Sequence, residues 1–143
     1  MKILISLILM FTLGLSAQID EFASEVNYSR DYAQALQIAK EQNKLIMFVA
    51  VGDYCPWCKK FERKTLNSKE IKARVSGEFV PLIIDRVSDK GKYPEEFYAQ
   101  VVPTVFFINP KTQKSVFESM GYMKPSDFSS DLDSAKAKFI KAK

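Results

Sequence analysis

The chain holds two cysteines, Cys55 and Cys58, in the run Cys55-Pro56-Trp57-Cys58, directly after an apolar stretch. Two thiols at this spacing can close a small disulfide ring. At the start of a helix the first thiol also gains acidity from the unpaired N–H groups of the first turn. The leading chemistry is therefore reversible dithiol–disulfide exchange. Other uses of the pair stand beside it. A structural staple is one, although a bridge this short closes almost no loop and restricts the unfolded chain little. A soft-metal site, for example for Cu(I), is a second, with Met47, Met120 or Met123 as thioether partners. A permanently closed disulfide in a redox-silent binding domain is a third. Two thiolates alone do not close a zinc site, and Lys59 stands where a c-type haem would need histidine.

The compartment decides how such a pair is used. Lys2, the apolar run Ile3–Leu15 and the small residues Ser16-Ala17 read as an export signal cleaved after Ala17. The run is shorter than the ~20 residues that span a bilayer as a helix, which leaves a retained anchor as the alternative. No cysteine follows it for lipid attachment. Residues 1–17 are thus assigned to a signal peptide and 18–143 to one domain, periplasmic or otherwise exported.

With 143 residues and 47% apolar content, the chain suits a single core. No repeat, low-complexity tract or second domain is visible. The net charge is +4, but basic residues are scattered and interleaved with acidic ones. That pattern describes a solvated surface and argues against a nucleic-acid groove.

Periodicity identifies the elements that must position the pair. Residues 29–42 carry Tyr32, Ala35, Leu36 and Ala39 at helical spacing, with Ser29 as N-cap, Asp31 in the first turn and Asn43 as the stop. Leu45–Val51 is a continuous apolar run of strand length. Pro56 suits the first turn of a helix, with Trp57, Phe61 and Leu66 on its inner face and Lys59, Lys60, Glu62, Arg63 and Lys64 outside. A break at Asn67-Ser68 restarts a helix through Ile71 and Val75. Phe79–Asp85 is a second strand, in which Pro81 implies an edge strand or an early strand position. Pro94–Gln100 is a short helix, Val105–Ile108 and Ser115–Glu118 form a hairpin, and Ser126–Ile140 closes the chain as a helix with the stripe Phe128, Leu132, Ala135 and Phe139. This order predicts an α/β fold with a mixed sheet covered by helices on both faces.

An apolar strand leading into Tyr54-Cys55-Pro56-Trp57-Cys58-Lys59, then Val102-Pro103-Thr104 before the next strand and Gly121 after the hairpin, resembles the thioredoxin-like superfamily. The resemblance covers roughly Tyr28–Leu132. It is nearest to the exported group that includes the C-terminal periplasmic domain of the transmembrane reductase DsbD. It implies the thioredoxin fold, a central mixed β-sheet flanked by helices on both faces. It also implies an exported thiol-disulfide oxidoreductase that reduces disulfides in proteins. In that family the proline before Thr104 is cis and faces the dithiol. The residues alone would equally allow a trans Pro103 that merely starts a strand.

Carried over residue by residue, the resemblance makes Cys55 the nucleophile and Cys58 the resolving thiol. It makes Tyr54, Pro56, Trp57, Val102, Pro103 and Thr104 the substrate-binding rim. Trp57 can equally be read as half-buried packing. The implied partners are cysteine-containing protein substrates and a transmembrane thiol donor. The chain is expected to act as a monomer without cofactor, resident metal or nucleic acid. Pro-Trp replaces the Gly-Pro of thioredoxins, and the chain has no histidine, which implies a reducing or intermediate potential.

One departure stands out. The family carries a buried acid six positions before the first cysteine, and that position is Val49. Asp53 reads as too exposed to substitute. Glu62, one turn beyond Cys58, is the next candidate by spacing for the missing acid, but it reads first as a solvated helix carboxylate. Slow resolution and a raised Cys58 pKa are the expectation.

Overall fold

A computed structural model describes the backbone of residues 14–142 and side chains from residue 18 onward. Most of the expected signal segment, 1–17, lies outside the described residues. No described helix is long and apolar enough to cross a membrane.

Among the described residues four strands form the sheet: β1 (Ile46–Val51), β2 (Val80–Asp85), β3 (Thr104–Ile108) and β4 (Ser115–Met120), in the spatial order β2-β1-β3-β4. β1 runs parallel to β2 and antiparallel to β3, and β3 is antiparallel to β4. All six residues of β1 are buried, as expected of a central strand covered on both faces. The period-2 alternation sorts them: Met47, Val49 and Val51 enter one core, Ile46, Phe48 and Ala50 the other. Pro81 lies on the edge strand, where its missing N–H breaks no ladder bond.

Among the described residues five α-helices flank the sheet: α1 (Gly14–Val26), α2 (Tyr32–Gln42), α3 (Pro56–Phe61), α4 (Lys69–Glu78) and α5 (Pro125–Lys141). Between α3 and α4 the chain makes a π turn, Glu62–Leu66. The first core takes Ile19, Phe22, Ala23 and Val26 of α1 together with side chains of α3, α4 and α5. The second takes Tyr32, Ala35 and Ala39 of α2, plus Tyr93, Phe97 and Ala99 from the β2–β3 connection. The predicted mixed sheet with helices on both faces is therefore the fold observed.

Several local expectations need correction. The N-cap of α2 is Asp31, whose carboxylate accepts from the Gln34 amide, and not Ser29. Ser29 instead bridges β2, with its amide donating to the Pro81 carbonyl. Pro94–Gln100 forms only a single 3₁₀ turn, Glu95–Phe97. On α3 the expected faces are partly exchanged: Trp57 is 57% exposed, while Glu62 is buried. The π turn is the physical reason for the second inversion, because a widened turn moves the side chains within it off the 3.6-residue period.

Candidate functional site

The register brings three chain segments together at one end of the sheet. Val51 at the end of β1 pairs with Asp85 at the end of β2, and Ala50 pairs with Thr104 at the start of β3. The turn after β1 therefore delivers Cys55 beside the loop that precedes β3. Asp53 and Tyr54 occupy that turn, and Tyr54 adopts φ +50°. A bulky residue in left-handed backbone is strained. The ring gains no burial in return, since Tyr54 is 92% exposed.

Cys55 is the N-cap of α3, and Pro56 opens the helix where no N–H is required. The Cys58 amide donates to Cys55 Sγ at 3.1 Å. Cys55 thus sits where orphan N–H groups collect, and that environment favours a thiolate once the bond is reduced. The two cysteines are joined as a disulfide, with their Cα atoms 5.2 Å apart. Cys55 is partly exposed, whereas Cys58 is 1% exposed. This asymmetry suits an outward thiol that meets a client and an inward one that closes the ring.

On the facing side, the Val102–Pro103 peptide bond is cis, as the resemblance implied. The Val102 carbonyl oxygen lies 3.7 Å from Cys55 Sγ. Pro103 is buried, and its carbonyl accepts from the amide of Gly121 at 2.7 Å. Gly121 holds φ +83°, a conformation that favours glycine. Thr104 is also buried; its hydroxyl donates to the Val101 carbonyl at 2.7 Å and so braces the loop from beneath. The Arg86 guanidinium adds a second brace, with Nη1 donating to the carbonyls of Ala99 and Gln100.

The exposed rim is apolar on top and basic at one side. The Trp57 and Tyr122 rings lie 5.8 Å apart, and the Lys60 ammonium sits over both, 5.0 Å and 4.5 Å from their centroids. Lys60, Tyr122, Arg86 and Gly121 belong to the surroundings of the pair; Lys60 and Gly121 carried a sequence signal, whereas Tyr122 and Arg86 did not. Asp53 is exposed, as expected. Beside the cysteines a cleft of about 660 Å³ opens between α1, the β1–α3 turn and the end of β2. Glu62 lines it and is 2% exposed, with its Oε2 3.4 Å from Lys59 Nζ. Burial raises the Glu62 carboxyl above its ordinary value, against the lowering charges of Lys59 and Arg63. The reading of Glu62 as a solvated carboxylate is thus overturned. Its spacing from Cys58, one helical turn, was the signal that singled it out. Among the described residues no group of three or more His, Cys, Asp or Glu side chains could hold a metal ion.

Such an arrangement can perform thiol–disulfide exchange: an outward sulfur at a helix N-terminus, an inward partner within ring-closing reach, and an open backbone edge alongside. Comparison with known proteins agrees with the fold. A thioredoxin from Thermus thermophilus superposes with a TM-score of 0.65 at 19% identity, over 77% of this chain and 87% of that one. The oxidised C-terminal domain of DsbD from Neisseria meningitidis superposes with a TM-score of 0.61 at 21% identity, over 72% and 90%. A DsbH oxidoreductase does so at 0.58 and 23%, over 76% and 85%. The search of curated proteins gives no match. The profile of the thioredoxin-like domain family matches residues 32–136, most of the chain, and the protein belongs to that family.

Proposed function

We propose that the protein is an exported thiol-disulfide oxidoreductase that reduces disulfides in protein clients through Cys55 and Cys58. The observation that carries this reading is the Cys58 amide donating to Cys55 Sγ at the mouth of α3, beside the Val102 carbonyl. In the reduced protein the Cys55 thiolate attacks one sulfur of the client disulfide. The client S–S bond breaks, and its second sulfur leaves as a thiolate that takes up a proton. Cys58 then loses its proton and attacks Cys55 Sγ. The mixed disulfide breaks, the client is released as a dithiol, and the Cys55–Cys58 bond forms. Two electrons have passed to the client, and an external dithiol must return them. Outside the cytoplasm that donor would be a transmembrane thiol carrier. Export rests on the pattern of Lys2, Ile3–Leu15 and Ser16-Ala17.

Tyr54, Pro56 and Trp57 on one side and Val102 on the other form the client rim, with Pro103 and Thr104 beneath it. An extended client segment would pair with the Val102 backbone while its disulfide meets Cys55. The deciding experiment is the equilibrium potential of the Cys55/Cys58 couple against glutathione. A value near about −270 mV supports a reductase and one near about −120 mV an oxidase. A couple that does not exchange refutes a redox role. Cys58→Ser should accumulate a Cys55–client mixed disulfide, and Cys55→Ser should form none.

A further inference from the structure

We propose that the Trp57–Tyr122 side of the site is a docking surface for client segments that carry a carboxylate beside the attacked cysteine. The inference rests on the exchange chemistry proposed above and names the class of client. It starts from Lys60, whose ammonium lies over the rings of Trp57 and Tyr122, 5.0 Å and 4.5 Å from their centroids. Among the described residues this ammonium has no carboxylate within ion-pair reach and donates no hydrogen bond. An ammonium carries three N–H donors and no acceptor. Two ring faces hold the charge at the rim, and its outward N–H groups are left for an acceptor arriving from solvent.

The basic charge continues away from the rings. The Thr65 hydroxyl donates to the Met123 carbonyl. That contact sets their chain neighbours Lys64 and Lys124 near one another, and both are exposed without an ion-pair partner. Asp127, in the first turn of α5, is the next acid along the chain, and it accepts from Ser126 Oγ rather than from a lysine. The opposite flank of Cys55 has the other sign. Asp53 is exposed in the β1–α3 turn, and Asp85 and Glu62 line the cleft, where Lys59 is the only basic lining residue. The partly exposed sulfur of Cys55 therefore stands on a boundary between basic and acidic surface.

An extended client laid across this boundary meets Lys60 on one side of its cysteine and Asp53 on the other. A carboxylate on the Lys60 side gains a charge-assisted hydrogen bond. An apolar neighbour of that residue covers Trp57, which is 57% exposed. An ammonium in the same place is repelled. These charges face solvent, so the preference acts on encounter and docking and is screened by salt.

The test follows mixed-disulfide formation by Cys58→Ser with three disulfide-bonded peptides that differ only in the residues flanking their cysteines: Glu, Gln or Lys. Each rate is taken relative to that of the same peptide with 2-mercaptoethanol, which removes the peptide's own reactivity. The Glu peptide is expected to react about tenfold faster than the Lys peptide at low salt, and the ratio should fall towards one at about 1 M salt, where screening acts within about 3 Å. Lys60→Glu should reverse the order. Lys72→Glu, the same charge change at an exposed position of α4, should preserve it and so separates a local surface from net charge. Equal rates for the three peptides, an order that Lys60→Glu leaves intact, or one that Lys72→Glu reverses as well, overturns the proposal. A second measurement needs no exchange: the oxidised, unaltered protein is titrated with cysteine-free forms of the peptides, and the fluorescence of Trp57, the only tryptophan in the chain, is read. A saturating change with the Glu peptide and none with the Lys peptide supports docking, and the same response to both refutes it. A protein that binds the Glu peptide yet traps none of the three would fail as an oxidoreductase and keep the docking surface.

Discussion

The sulfur of Cys55 rests 3.7 Å from the carbonyl oxygen of Val102. In the disulfide neither atom is a donor, so the contact is one of position alone. It means that whatever fixes the loop before β3 also fixes the client's approach to the sulfur. Arg86 performs that task through the carbonyls of Ala99 and Gln100. Arg86→Ala should raise KM for a protein client about tenfold, the worth of one charged hydrogen bond. Turnover of a small disulfide that needs no groove should change little. Equal losses with both substrates would disprove this division.

Tyr54 combines left-handed backbone with nearly complete exposure. Asparagine tolerates that conformation better than tyrosine. Tyr54→Asn is expected to stabilise the fold by up to about 1 kcal/mol and to weaken client binding by removing part of the apolar rim. Denaturant melts and client KM values check the two halves. A destabilised variant would show that the ring has packing value.

Arg30 ties three places together: Asp20 on α1, the Ile83 carbonyl on β2, and Asp89 beyond it. Burial alone would raise the Asp89 carboxyl, but Arg30, the Asp85 amide and Lys92 together hold it below its usual range. A carboxyl lowered on folding adds stability above its unfolded value and loses it as pH falls through the folded one. Arg30→Ala leaves Asp89 buried without its main cation and should cost about 3 kcal/mol at pH 7. The gap should narrow below about pH 4. Urea melts at both pH values measure it, and a gap independent of pH would contradict the assignment.

Glu62 has the opposite sign. A carboxyl raised by burial keeps its full stability contribution below the unfolded value and loses it as pH climbs through the folded value. Glu62→Gln, neutral at every pH, should melt higher than the unaltered protein at pH 8, and the curves should converge towards pH 4. Equal melting at pH 8 would mean that Lys59 fully compensates the buried charge.

Local pattern is enough to read the parts of the molecule that local pattern builds. Ile46–Val51 and Pro56 after Cys55 lie where the residues implied, because composition and spacing over a few positions determine them, whereas the cis Val102–Pro103 bond was implied by the family resemblance alone. Glu62 departs from its local pattern because its inward turn depends on the π geometry. That geometry is held by a distant partner, with the Thr65 hydroxyl donating to the Met123 carbonyl. Pro94–Gln100 falls short of a helix because the backbone turns extended at Tyr98, directly after Glu95–Phe97. α1 is hidden in the sequence by the export pattern that runs into it, although Ile19, Phe22, Ala23 and Val26 recur at helical spacing and are buried.

β1 contributes six covered and uncharged residues beneath the disulfide. That strand is therefore electrically silent towards the sulfurs, and the nearby charges sit on α3, its π turn and the cleft wall. Redox tuning and folding are thereby assigned to different segments. Lys59, Lys60 and Glu62 offer a control surface on which the exchange rate could drift over evolution, or be set by design, while the strand shared by both cores stays untouched.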